Sequence, residues 1–128
     1  MLKKLNKLIY FTPAIIWMVG VLFLSTRVLE GIPIPLFKGS DKIVHFIFYA
    51  ILVGLLSFGY VKGERFNLSK LLFSAYWSVL FGGLIELIQH YLVKGRSGEW
   101  EDFLANTIGI LFSSYIIYRK YLRRSRNK

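Results

Sequence analysis

Nearly all charged residues of this 128-residue chain lie in short islands between long apolar runs. A helix of roughly 18 or more apolar residues can cross the hydrocarbon core of a bilayer. Four runs approach or exceed this length, at 8–24, 43–61, 71–93 and 103–118. They are too long for membrane strands and lack the alternation of apolar and polar residues that such strands show. The sequence therefore predicts an all-α, polytopic membrane protein with four transmembrane helices in a compact bundle.

Breaking residues between the runs indicate where the helices end. The prolines of segment 31–35 cannot continue a helix, because proline lacks the backbone donor. The first run follows three lysines, as in a signal peptide, but its length and the lack of a small-residue cleavage pattern favour a retained helix. A transmembrane domain is thus expected over 1–118, followed by a basic cytoplasmic tail at 119–128. Its helices are expected at about 8–26, 41–61, 68–93 and 102–119.

The basic residues are distributed unevenly between the two ends of the predicted bundle. Of the 17 lysines and arginines, 12 precede helix one, surround the loop between helices two and three, or follow helix four. Cytoplasmic loops carry an excess of Lys and Arg, so both termini are predicted to be cytoplasmic. The net charge of +10 is then explained by basic residues that set the orientation of the helices in the membrane. For this reason no nucleic-acid partner is predicted. The absence of cysteine excludes disulfides and thiolate metal sites.

A few acidic, amide and histidine residues interrupt the apolar runs near one predicted face of the bilayer. Such groups are costly in a membrane and usually face a bundle interior or a wet cavity. Residues four apart share a helix face, so each helix presents its polar groups together. The residues concerned are Asp41, His45 and Tyr49 on helix two, Glu86 and Gln89 on helix three, and Asp102 and Asn106 on helix four.

Small residues accompany these polar groups on helices three and four. Small side chains let membrane helices approach closely, and polar ones hydrogen-bond across the contact. We therefore expect helices two, three and four to pack together and to enclose the polar groups in the outer third of the bilayer. The four-residue rows are Ser74, Ser78, Gly82, Glu86 and His90 on helix three, and Ala105, Gly109 and Ser113 on helix four.

Four segments resemble the VanZ-like family of small, multispan bacterial membrane proteins. They are DKIVHFIFY at 41–49, ELIQ at 86–89, GR at 95–96 and DFLANTIG at 102–109. The family usually has a Pro-Gly-Arg turn, where this chain has Lys-Gly-Arg at 94–96. The resemblance implies a bacterial cytoplasmic (inner) membrane protein and a link to teicoplanin, since the founding member lowers sensitivity to that glycopeptide. It also implies signature positions at Asp41, Lys42, His45, Glu86, Gln89, Arg96, Asp102 and Asn106.

The first functional interpretation is a binding protein with a polar site that opens to the outer leaflet. Its ligand would be the head group of a cell-wall precursor or an anionic lipid, or a lipoglycopeptide. Arg96 and Lys42 would lie at the mouth, where a guanidinium suits bidentate recognition of phosphate or carboxylate. The candidate ligand-binding residues are Asp41, Lys42, His45, Tyr49, Glu86, Gln89, Arg96, Asp102 and Asn106.

The second interpretation is an intramembrane hydrolase or transferase that acts on a lipid-linked substrate. The candidate catalytic residues are Glu86 as base, His45 as acid, and Asp102, with Arg96 stabilising an anionic oxygen. A divalent metal on Asp41, Glu86, Asp102 and a histidine is chemically conceivable. No H-E-x-x-H spacing supports it, so no metal site and no cofactor is predicted. The third interpretation is a structural or accessory role, in which the polar groups cap helices and fix helix register.

Overall fold

The computed structural model describes residues 1–26, 39–63, 65–93 and 100–123. These residues form helices and contain no strand, which confirms the predicted all-α class for the described part of the chain. We number four helices in chain order. They are α1 (Leu2–Thr26), α2 (Ser40–Gly63), α3 (Leu68–Leu92) and α4 (Trp100–Ile117).

Local chemistry explains several of the helix limits. Pro13 has no N–H to donate to the carbonyl of Ile9, and the chain tightens there into a 3₁₀ turn at Ile9–Phe11 within α1. Helical structure extends back from this turn to Leu2, whereas the apolar run itself starts at residue 8. Gly39 precedes α2 with a positive φ of 88°, which glycine adopts without steric cost.

Polar and irregular turns also bound α3 and α4. The side chain of Asn67 caps α3 by accepting a hydrogen bond from the backbone N–H of Lys70 at 3.0 Å. After Ile117, a π-helical segment at Tyr118–Leu122 continues α4. The division between a transmembrane domain and a tail at residue 118 stays a prediction.

Three of the four helices are long and apolar enough to cross a membrane. They are α1, α2 and α3, with 25, 24 and 25 residues. Helix α4 has 18 residues, begins with Trp100, Glu101 and Asp102, and is not among the described helices that meet the same criterion. At a rise of about 1.5 Å per residue it is roughly 27 Å long. The compact four-helix bundle is thus confirmed, with three helices that qualify as membrane spans by length and composition.

Glycines allow α2, α3 and α4 to approach one another closely. A Cβ atom at Gly109 of α4 would overlap the carbonyl oxygen of Phe46 and lie 3.1 Å from its Cα, both in the backbone of α2. A Cβ at Gly82 of α3 would lie 3.1 Å from Cε1 of Tyr49 and 3.3 Å from Nδ2 of Asn106. These contacts agree with the expectation that small residues mark the interfaces among the last three helices.

Helix α1 packs beside α2 through an aromatic contact that includes a hydrogen bond. The indole Nε1–H of Trp17 donates to the carbonyl oxygen of Phe48 at 2.9 Å, and the two rings meet edge to face. Many other apolar side chains of α1 are exposed, including Ile15, Ile16 and Val19. An apolar outer face of this kind suits contact with lipid chains.

Candidate functional site

Three helices bring polar side chains to the same end of the bundle. This end comprises the N-termini of α2 and α4 and the C-terminus of α3. His45, Glu86 and Asn106 each lie between five and six residues from the helix terminus at this end, which corresponds to about 8–9 Å along the axis. The side chains therefore meet at a common depth below the end of the bundle.

His45 lies at the centre of this arrangement. Its Nδ1 is 3.0 Å from Oδ1 of Asn106 and 3.7 Å from Oε1 of Glu86. Its Nε2 is 3.7 Å from Oδ2 of Asp102. We call these four residues, one from α2, one from α3 and two from α4, the polar cluster. Its members are contributed by all three helices that the sequence predicted to converge.

The polar cluster is largely buried. Glu86 is 9% exposed, His45 7% and Asn106 1%, while the side chain of Asp102 is 13% exposed. One potential ligand atom each from His45, Glu86 and Asp102 lie within 4.8 Å of one another. Residues of these types in this arrangement can hold a metal ion, exchange protons or accept hydrogen bonds from a ligand.

Lys42, Asp41 and Glu101 form a more exposed group above the polar cluster, which we call the rim. Its Nζ lies 3.3 Å from Oδ2 of Asp41, 3.4 Å from Oε2 of Glu101 and 3.4 Å from Oδ1 of Asp102. The side chains of Lys42, Asp41 and Glu101 are 34%, 47% and 56% exposed, so solvent screens these pairs. These ion pairs therefore balance charge beside the polar cluster more than they stabilise the fold.

Not every candidate residue belongs to the polar cluster. Gln89 is buried, but its Nε2 donates to the carbonyl oxygen of Ser25 at 2.9 Å and joins α3 to the end of α1. Tyr49 is also buried, and within the described part of the chain its hydroxyl has no hydrogen-bond partner. Arg96, which was expected at the mouth, lies outside the described residues.

The expected position of His90 in the buried row of α3 is wrong. His90 is exposed, and its ring contacts that of Tyr91 edge to face. An α-helix has 3.6 residues per turn, so a row with a spacing of four drifts by about 40° at each step. From Ser74 the accumulated drift turns His90 away from the interface and brings Gln89 onto the buried face instead.

Glu101 is a rim residue that the sequence did not single out. Its Oε2 contacts Lys42, and it lies in the first turn of α4 beside Asp102. An available signal was the pair of acidic residues at a helix N-terminus, where negative charge is favourable. That signal does not identify a partner on another helix, because the pairing depends on how α2 and α4 pack.

Comparison with known proteins identifies one family. The model of the VanZ/LLP1 family matches residues 3–122, which include nearly all of the four helices and the whole polar cluster. No curated protein and no solved structure matches the chain. The family match agrees with the resemblance carried by the motifs around Asp41, Glu86 and Asp102. The chain is a multi-pass membrane protein that belongs to the VanZ/LLP1 family.

Proposed function

We propose that this protein is a membrane-embedded binding protein whose polar cluster holds the head group of a cell-envelope lipid or lipid-linked precursor. The observation that carries the proposal is the convergence of His45, Glu86, Asp102 and Asn106 from three helices into one buried group. Ionisable residues within a membrane bundle are costly to maintain, which favours a functional role over a purely structural one.

The composition of the site favours a ligand that carries hydrogen-bond donors. Glu86 and Asp102 provide carboxylate oxygens, and Asn106 provides an amide oxygen, all of which can accept from hydroxyl or amino groups. The ammonium of Lys42 already lies near the carboxylates of Asp41, Glu101 and Asp102. Sugars and amino groups, which are common in envelope precursors, therefore fit the described part of the site better than an isolated anion does.

The charge distribution supports a site on the extracytoplasmic side of a bacterial cytoplasmic membrane. The polar cluster lies at the end of the bundle where Asp41, Glu101 and Asp102 occupy first turns of helices. Most of the basic residues belong to the other end, and an excess of Lys and Arg favours the cytoplasmic side for that end. A lipoglycopeptide of the teicoplanin type combines sugars, ionisable groups and an acyl chain, so it is a suitable test ligand.

Conservative substitutions in the polar cluster should weaken this binding. In nanodiscs of phosphatidylcholine, we expect wild-type protein to bind teicoplanin or a lipid-linked cell-wall precursor. Glu86→Gln and Asp102→Asn should each reduce affinity about tenfold or more, since each removes a charge-assisted hydrogen bond of roughly 1.5–3 kcal/mol. His90→Gln, on the exposed face of α3, is the matched control and should bind as wild type does. The proposal is wrong if neither probe binds, or if Glu86→Gln and Asp102→Asn bind unchanged.

A second candidate is an intramembrane hydrolase or transferase, which one observation favours. His45 lies between two carboxylates, 3.7 Å from Glu86 on one side and 3.7 Å from Asp102 on the other. This order of groups can pass a proton across the imidazole. Among the described residues, no serine or threonine hydroxyl hydrogen-bonds to His45. Water is therefore the better nucleophile for a hydrolase at this site. Turnover of a lipid-linked precursor that stops in Glu86→Gln while binding remains would identify the enzyme.

A further inference from the structure

We propose that the polar cluster is a divalent transition-metal site, with His45, Glu86 and Asp102 as ligands. The three residues come from α2, α3 and α4, and one potential ligand atom of each lies within 4.8 Å of the others. This inference deepens the proposed function and rests on it only for the identity of the group that meets the metal. Binding of the metal by His45, Glu86 and Asp102 does not depend on the identity of the ligand.

The hydrogen bond between His45 and Asn106 determines which ring nitrogen of His45 carries the hydrogen. Oδ1 of Asn106 can only accept, so Nδ1 of His45 carries the hydrogen in this 3.0 Å contact. In a neutral ring, Nε2 then presents a lone pair to Oδ2 of Asp102 at 3.7 Å. A metal ion between Nε2 and Oδ2 would be coordinated by both atoms and would remove the repulsion between their lone pairs.

Asn106 thus acts as a positioning residue in this arrangement. Histidines that bind metals generally donate their second ring N–H to a nearby acceptor, which sets the tautomer and aims the ligand nitrogen. Asn106 is 1% exposed and lies one turn after Asp102 on α4. The same helix therefore provides a carboxylate ligand and the acceptor that orients the histidine.

Asp102 can serve both the rim and the metal because its two oxygens face different partners. Oδ1 lies 3.4 Å from Nζ of Lys42, whereas Oδ2 faces His45. Two carboxylates and one neutral imidazole together match the charge of a divalent ion. The electrostatic cost of burying Glu86 beside Asp102 then falls sharply, since the metal neutralises both.

The donor set selects the class of metal. One imidazole nitrogen favours a transition ion such as Zn²⁺ over Mg²⁺ or Ca²⁺, while two carboxylates also suit Mn²⁺. Ligand atoms lie about 2.0–2.2 Å from Zn²⁺, which places them roughly 3.5 Å from one another in a tetrahedral site. The 3.7 Å between Nε2 of His45 and Oδ2 of Asp102 is close to this separation, whereas a pair at the 4.8 Å limit would have to close by about 1 Å. Three protein ligands leave coordination positions for an oxygen of the head group, which links the metal to the proposed binding site.

Metal analysis of the purified full chain tests this inference. In detergent, after incubation with Zn²⁺ or Mn²⁺ and removal of excess, we expect close to one ion per chain. His45→Ala, Glu86→Gln and Asp102→Asn should each lower affinity more than 100-fold, and Asn106→Leu about 10–100-fold. His90→Gln should retain the ion, since His90 is exposed and outside the polar cluster. Thermal unfolding of each variant establishes that it is folded.

The outcomes distinguish this inference from the proposed function. Loss of the ion in His90→Gln, retention in Asp102→Asn, or no ion in folded wild-type protein would each overturn the metal site. If folded wild-type protein takes up no ion but binds either probe, the metal site is wrong and the proposed function is supported. Conversely, a stoichiometric ion in protein that binds neither probe would support the metal site and contradict the binding function.

Discussion

Substitution of Gly109 by alanine should strongly destabilise the bundle, although it adds a single methyl group. The new Cβ would overlap the carbonyl oxygen of Phe46 and lie 3.0 Å from its carbonyl carbon. These atoms belong to the backbone of α2 and cannot rotate away as a side chain can. We expect a loss of about 1–3 kcal/mol or more in the free energy of unfolding, the usual cost of overpacking. Unfolding in mixed micelles, followed by circular dichroism, measures it.

Gly54→Ala is the matched control for this substitution. Gly54 lies in α2, and a Cβ there would meet nothing within 4 Å. Alanine is favoured over glycine in a helix by about 0.5–1 kcal/mol, so this variant should be as stable as wild type or slightly more stable. If Gly109→Ala unfolds like Gly54→Ala, then α2 and α4 do not approach as closely as described here.

Replacing His45 by leucine should have the second large effect, on stability as well as on function. The substitution removes the group that α2 places between Glu86 and Asp102, so two buried carboxylates lose the same neighbour. Leucine also leaves Oδ1 of Asn106 without its 3.0 Å hydrogen bond, and an unsatisfied buried polar group typically costs about 1–3 kcal/mol. The same change at the exposed His90 should alter stability by no more than about 0.5 kcal/mol.

A double-mutant cycle separates a direct interaction between His45 and Glu86 from a loss of packing. If His45 and Glu86 interact favourably across their 3.7 Å contact, Glu86→Gln should cost less in the His45→Leu background than in wild type. Groups in direct contact usually show a coupling free energy of about 0.5–3 kcal/mol. Additive losses in the free energy of unfolding would show that His45 and Glu86 do not interact and would contradict the geometry of the polar cluster.

Helix content and the convergence of polar groups could be predicted from the chain because both follow from local patterns. Long apolar runs indicate α1, α2 and α3 without reference to tertiary structure. The four-residue spacing of Asp41 and His45, and of Asp102 and Asn106, places each pair on one face. Since these faces carry the costly groups, they were expected to turn toward each other.

Features that depend on relative helix rotation and depth could not be predicted in this way. The four-residue row on α3 suggested His90, whereas the drift of the helix brings Gln89 to the interface with α1. The row of small residues on α4 indicated a close contact but not that Gly109 would meet the backbone of Phe46. Likewise, the contact of Glu101 with Lys42 depends on the register between α2 and α4.

Solid-state NMR distance measurement tests the central claim, that three helices bring their polar groups to one histidine. The chain has only 2 histidines, so ¹⁵N-histidine labelling of the His90→Gln variant reports on His45 alone. With ¹³C-labelled carboxyl groups of aspartate and glutamate in lipid bilayers, the ring nitrogens should be dephased by both. Asp102→Asn should remove the aspartate effect, and Glu86→Gln the glutamate effect. Ring nitrogens that show no dephasing from either carboxyl type would contradict the shared site.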